Sequence, residues 1–492
     1  MRLRHLECRS GQVKSDAVTT RRDFVRMTAL GLAGLGAGCA TGPSPIRQAA
    51  PGGADAGTEA FLDDVQRRTF RFFWETSNPE NGMARDRWPR PSFASMAAVG
   101  FALTAYPIGV QRRFVERRDA AARTLATLRF LANAPQGDAP VGMTGHKGFF
   151  YHFVDMGTGA RFERTELSTV DTALLLGGIL FAKGYFDRPE ELEIRELAER
   201  IYARVDWRWT QARPNRVALG WNPESGFLPY DWIARSEAML VYILALGAPE
   251  HGLAPESWRL WSQGLPELWG REFGQDHISY QPMFWHQYGH IWVDFRGIQD
   301  DFMRSKGIDY FENSRRATLA QAAYASANPM GWRGYGRDLW GLTACDGPAD
   351  VTLAIGGRER QFRSYAARGP GHNDDGTVAP TAAGGSLAFA PEICIPTLKA
   401  MRRDHGADLY GRYGFLDALN PTFTNRSVPL THGRIVPGKG WYDTDYLGID
   451  QGPILAMIEN HRSGLVWQVM RGDPHLRRGL ERAGFAGGWL AA

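Results

Sequence analysis

Cysteine is scarce in this chain, with 4 among 492 residues, and that excludes a disulfide-built scaffold. Beyond residue 40 no run approaches the 18 or so apolar residues that a membrane-crossing helix needs. An excess of one charge is missing as well. Lys and Arg total 57 against 53 Asp and Glu, and no basic stripe of the kind that tracks a nucleic-acid backbone is present. A phosphate-cradling glycine loop with its lysine is lacking, and so is a G-x-S-x-G elbow between strand and helix. Gly384, Gly385 and Ser386 form only a small-residue turn. β-branched strands alternating with helices are not visible, which argues against a parallel α/β sheet.

Aromatic residues, in contrast, are abundant: 16 Trp, 16 Tyr and 26 Phe. Such a stock suits either an aromatic core or a surface that stacks on flat rings such as sugars.

The N-terminus has the pattern of an exported protein. Arg21 and Arg22 form a twin-arginine pair ahead of a short apolar stretch from Met27 to Ala37, too short to span a bilayer and of signal-peptide length. Residues 1–39 are expected to be a Tat-type leader. Leu35-Gly36-Ala37-Gly38-Cys39 approximates a lipoprotein cleavage box with its leucine one place upstream, so either Cys39 is lipidated or cleavage falls in the Gly/Pro/Ala-rich tether of residues 40–57. A periplasmic or outer-membrane-associated protein is expected, touching the membrane only through Cys39. Cys345 and Cys394 then remain; an oxidising compartment permits a disulfide between them, and both read as structural.

From residue 58 onward the dominant period is helical, in two forms. In 189–205, Ile194, Leu197, Ala198, Ile201 and Val205 line one face opposite Glu and Arg, an amphipathic pattern repeated over 117–132. Segments 92–105, 167–181 and 237–246 are apolar all round and must be enclosed by protein. A mixed helix is expected near 256–268. Alternating enclosed and amphipathic helices are satisfied by an inner ring backed by an outer one, an all-α (α/α)6 barrel forming one domain over 58–492. A solenoid would satisfy the alternation too, but no repeated motif appears. Long loops at 146–153, 328–347 and 356–379 are places for function, the last with room for a hairpin.

Carboxylates stand at the starts of the apolar helices. Glu163 and Glu166 precede 167–181, Asp171 follows within it, and Glu237 opens 237–246. First-turn acids are favoured by the helix dipole alone. On helices enclosed all round, however, they face the mouth of the ring, where burial raises their pKa toward that of a general acid. Asp443 and Asp450 form a second acidic cluster downstream. A third segment contains Trp285, His286, Tyr288, His290, Asp294 and Arg296. His286 and His290 have zinc-pair spacing, but Gln287 stands where a metalloprotease has Glu and no third ligand is evident. A sugar-binding wall of aromatic, Asp and Arg side chains suits the segment better, and a core mixture remains open.

Six ordered stretches carry a resemblance: 95–109 (SMAAVGFALTAYPIG), 166–180 (ELSTVDTALLLGGIL), 236–251 (SEAMLVYILALGAPEH), 284–302 (FWHQYGHIWVDFRGIQDDF), 375–392 (DGTVAPTAAGGSLAFAPE) and 446–460 (YLGIDQGPILAMIEN). They resemble the glucoamylase-like domain of bacterial β-1,2-glucanases, glycoside hydrolase family 144 and its clan, over nearly all of 58–490. The resemblance implies an (α/α)6 barrel that cleaves β-1,2-glucan internally, with inversion, as a monomer without metal or cofactor. It implies Glu237 as general acid, Glu163 and Glu166 as further cleft acids, and Asp450, with Asp443 behind it, on the base side. Asp171, Trp285, His286, Tyr288, Asp294, Arg296 and Asp443 are then the expected sugar contacts. Ala234-Arg235 and Gly289 depart from the family pattern and bear on subsites. A glucan-binding protein without turnover, or an exo-acting or transglycosylating enzyme, are the alternative readings.

Overall fold

The computed structural model describes residues 56–491, Arg235 and Tyr280 excepted. The expected leader, the lipobox at Cys39 and nearly all of the tether lie outside the described residues. The first described helix, Ala56–Thr76, starts two residues before the expected domain boundary.

Six helices among the described residues form the interior: α1 (Met96–Gln111), α2 (Thr169–Tyr185), α3 (Met239–Gly247), α4 (Tyr288–Trp292), α5 (Pro380–Gly384) and α6 (Gly448–Arg462). Their buried residues run around every face, as the all-apolar stretches require. α1 packs on α2 and α6, α6 on α4 and α5, and α2 on α3 and α4. Glycine sets the tightest of these approaches. A Cβ on Gly178 of α2 would lie 2.0 Å from the carbonyl oxygen of Gly100 in α1, a separation no side chain tolerates. Amphipathic helices lie outside this set. Ala56–Thr76 packs on α1 and α6, Arg117–Asn133 on α1, Leu192–Ala203 on α2, and Pro474–Arg482 on α3. No helix among the described residues is long and apolar enough to cross a membrane.

The expected enclosed helices begin two to four residues later in the structure and run past their expected ends. Ser95 and Ser168 explain two of the starts. Each is extended, and its hydroxyl accepts from the backbone N–H three residues on, at Ala98 and Asp171, the ordinary N-cap arrangement. The segment near 256–268 forms two short helices, Glu256–Ser262 and Leu265–Leu268.

The all-helical expectation needs a correction, because the loops fold into many short antiparallel ladders. Two- to five-residue strands carry too little periodicity to be seen in sequence. In the loop before α5, β1 (Ala344–Asp346) pairs with β4 (Tyr365–Ala367), and between them β2 (Val351–Ile355) pairs with β3 (Arg358–Phe362). The hairpin turn is Gly356–Gly357, with φ of 58° and 74°, the left-handed pair that a two-residue turn demands. Cys345 and Cys394 are buried free thiols, not a disulfide.

Candidate active site

Hydrogen bonds, and between α3 and α4 a close approach, tie the N-terminal ends of the six interior helices to one another. The N–H of Met96 donates to the carbonyl of His152, whose own N–H donates to that of Glu166, linking α1 to α2. The Trp232 indole, seven residues before α3, donates to Thr169 at the start of α2 at 2.8 Å. A Cβ on Gly289 of α4 would lie 3.9 Å from that of Met239 in α3. The Tyr288 hydroxyl of α4 donates to the Ile449 carbonyl of α6 at 3.4 Å, and Thr381 of α5 donates to the Asp450 carbonyl at 3.2 Å. The Gly448 N–H closes the set by donating to Asp86, just upstream of α1. Six positive helix ends therefore share one end of the fold, where they favour negative charge.

The acids at this end are nearly enclosed. Glu237 is 7% exposed and Asp450 4%. Asp171 accepts from the Ser168 hydroxyl. His152 lies between two of them, with Nδ1 3.2 Å from Glu166 and Nε2 3.6 Å from Asp171, and its ring stacks on Phe153.

Beside Asp450 lies a group of four fully enclosed aspartates, Asp346, Asp417, Asp443 and Asp445. Asp417 accepts from the Asp346 N–H at 2.8 Å. Its carboxyl is pushed well above the usual range by burial, then by the charges of Asp450, Asp346 and Asp443. Burial raises Asp443 in the same direction, reinforced by Asp346 and Asp445. Asp346 moves the other way. Burial acts against its charge, but Arg87, His432 and Arg90 outweigh it. Arg87 donates to Asp346 at 2.7 Å, while Arg90 donates to Asp445 at 2.5 Å. Arg87 and Arg90 thus favour the ionised form of Asp346, and burial holds Asp417 and Asp443 toward the neutral form. Asp346, Asp443 and Asp445 each offer an oxygen within 4.8 Å of the others, and the arginines already neutralise part of that charge.

The sequence reading located Glu237, Glu166, Asp171, Asp443 and Asp450, and the structure carries all five to this end. Trp285, His286 and Tyr288 also reach it, at the start of α4, and all are buried. His286 packs toward His277 with ring centres 6.3 Å apart. Two expectations are corrected. Asp294 and Arg296 follow the C-terminal end of α4, the opposite end. There Asp294 is 1% exposed, accepts two bonds of 2.8 Å from Arg296 and one from Arg471, and serves packing. Glu163 is exposed, in a left-handed turn at φ 48°, outside the enclosed acids. His290 is not paired with His286: it contacts Ser314 at 3.0 Å and the rings of Phe295 and Phe389, and burial pushes its pKa down to about 3.

Sequence reasoning missed Arg87, Arg90, His152, Asp346, Asp417 and His432. No motif signals them, since each comes from a loop that only the fold brings in.

Comparison with known proteins identifies relatives of this chain. The glycoamylase family, described as "Putative glucoamylase", matches residues 229–474. A curated relative from Parabacteroides distasonis, an exo β-1,2-glucooligosaccharide sophorohydrolase acting at the non-reducing end, is 29% identical over 460 residues, which is 86% of this chain and 58% of the relative. The chain thus spans less than two thirds of that protein. A crystal structure from Bacteroides uniformis bearing the family's description superposes with a TM-score of 0.76 at 30% identity, covering 90% of this chain and all of that one. The endo-β-1,2-glucanase of Chitinophaga pinensis, in complex with sophorotriose and glucose, gives 0.74 at 25% identity, covering 88% of this chain and 99% of the other.

Proposed function

Since the chain belongs to the glycoamylase family, we propose that it is a glycoside hydrolase that cleaves β-1,2-glucan to sophoro-oligosaccharides, the six interior helices forming the inner ring of an (α/α)6 barrel. The carrying observation is the convergence of Glu237, Glu166, Asp171 and Asp450 at the shared N-terminal end of those helices. Glycoside hydrolysis needs one carboxylic acid to protonate the departing oxygen and one carboxylate to activate water. In this reading Glu237 is the acid: it is nearly enclosed at the head of α3, the position a proton donor to the departing oxygen requires. Asp450 stands on the base side, beside Asp417 and Asp443, whose carboxyls burial pushes upward. Glu166 and Asp171, spanned by His152, hold sugar hydroxyls. No metal or cofactor enters the reaction.

The proposed cut is internal and inverting. A second reading, release of sophorose from the non-reducing end, is favoured by the named activity of the Parabacteroides relative. Incubating the protein with linear β-1,2-glucan and following chain length and anomeric configuration separates the two. Early products of mixed length support internal cleavage, sophorose alone supports the exo reading, and no product from either polymer or oligosaccharide counts against hydrolysis. The twin arginines Arg21 and Arg22 and the box at Cys39 support Tat export to the periplasm with a lipid anchor at Cys39, the protein acting as a monomer. Mass spectrometry of the membrane fraction tests the anchor.

A further inference from the structure

Four arginines that cluster on and beside one hairpin share a feature. Arg333, Arg358, Arg360 and Arg363 have no carboxylate of the described residues within ion-pair distance. Arg358 and Arg360 sit two apart on β3, so their side chains leave the same face, opposite Ile355 and Leu353 of β2. Both guanidiniums turn toward one backbone oxygen, that of Met330, at 3.5 Å and 3.0 Å. Arg360 also donates to the Gly331 carbonyl and lies 4.1 Å over the Trp332 ring. Between the hairpin, Met330–Trp332 and Gly371–Asp374 is a cavity of about 290 Å³ bordered by Arg358, Arg360 and Arg363. A second hollow, bordered by Arg333, Arg358 and Arg360, adjoins it.

Two acids face the cavity, Glu359 and Asp374. Neither pairs with the arginines. Asp374 is committed to the hydroxyls of Tyr324 and Tyr335, each donating at 2.7 Å. Three guanidiniums and two carboxylates thus border one concavity with no ion pair formed between them, and the positive groups are in excess.

We propose that the two adjoining hollows, which share Arg358 and Arg360, form a binding site for a phosphate-class oxyanion, free or esterified to a saccharide, held by those two arginines and by Arg333. Planar guanidiniums with several donors match a tetrahedral oxyanion, and an anion seated between them removes their mutual repulsion. Burial, with the adjacent Arg358, already pushes Arg360 below its usual pKa, the direction a bound anion would reverse. The volume admits a phosphate with one sugar and excludes a polymer. β2 and β3 are joined through β1 and β4 to Asp346, so the site stands on the arm that leaves the enclosed aspartates. It does not depend on the glucan reading.

Calorimetric titration at fixed ionic strength in sodium chloride tests the assignment, with inorganic phosphate, glucose 6-phosphate and sophorose as probes. Saturable binding of both phosphates is expected in wild type and in Glu237→Gln. It should weaken at least tenfold in the double variant Arg358→Gln/Arg360→Gln and also in Arg333→Gln, which alters a different segment should the hairpin variant misfold. Tighter binding of glucose 6-phosphate than of phosphate supports the esterified source, and equal binding supports the free one. No saturable binding of either phosphate, binding undiminished in the well-folded variants, or equal binding of neutral sophorose abolished by the same variants overturns the proposal.

Discussion

Nδ1 of His152 lies 3.2 Å from the Glu166 carboxylate, two side chains on different segments joined at the mouth of α2. The other ring nitrogen faces Asp171, so one imidazole fixes the distance between two acids. Removing it should loosen both without unfolding the chain. His152→Ala is expected to lower kcat on β-1,2-glucan about tenfold or more, while His152→Gln, which keeps a donor, recovers part of it. Steady-state kinetics with both variants check this, and a loss confined to melting temperature would reduce His152 to packing.

Glu237→Gln removes the proposed proton donor and keeps the shape. General acids contribute about 10²–10⁴-fold, so turnover should fall by at least about a hundredfold with an unchanged melting temperature. Wild-type product yields from this variant would refute the assignment of the acid.

Asp443 sets a pH dependence of stability. Its carboxyl titrates above the unfolded value of about 3.9 because burial opposes its charge. Below that value both states are protonated and nothing is lost. As pH rises through it the unfolded chain ionises first, so the native state loses stability until the folded pKa is passed. Asp443→Asn cannot ionise, and its side-chain oxygen can still accept from the N–H groups of Thr444 and Asp445. The melting temperature of the variant minus that of wild type should therefore increase from pH 4 to pH 8. A constant difference would show that Asp443 is not held neutral.

Asp294 is predicted to behave in the opposite way. Arg296 and Arg471 depress its pKa against burial, so its stabilisation is present above the unfolded pKa and lost as pH falls through the folded one. Asp294→Ala leaves two arginines facing an enclosed gap. Because both are partly exposed, the cost is about 2 kcal/mol, below that of a fully buried pair. Denaturant unfolding measures it. KM for glucan should be unchanged, and a selective rise in KM would return Asp294 to the substrate site.

Gly178→Ala tests the closest helix approach. Its new methyl meets the Gly100 carbonyl oxygen at 2.0 Å, so the helices must separate, at a cost of about 1–3 kcal/mol or more. Chemical denaturation of the variant gives the figure, and an unchanged midpoint would mean that α1 and α2 are not in this contact.

The sequence by itself determined which helices are enclosed and which are half-exposed, because a helix with no polar face has only one stable environment. It also marked Glu237, Asp171 and Asp450, since an acid beside an apolar run occupies a recognisable place at a helix start. Tertiary structure decided the remainder. Asp294 reads as well as Asp171 in sequence, but a helix has two ends and only folding shows which one an adjoining acid occupies. Arg87, His152, Asp346 and Asp417 belong to loops without periodicity. Their charges acquire meaning only where contacts among distant segments exclude water and bring like and unlike charges within a few ångströms, and no local pattern encodes that.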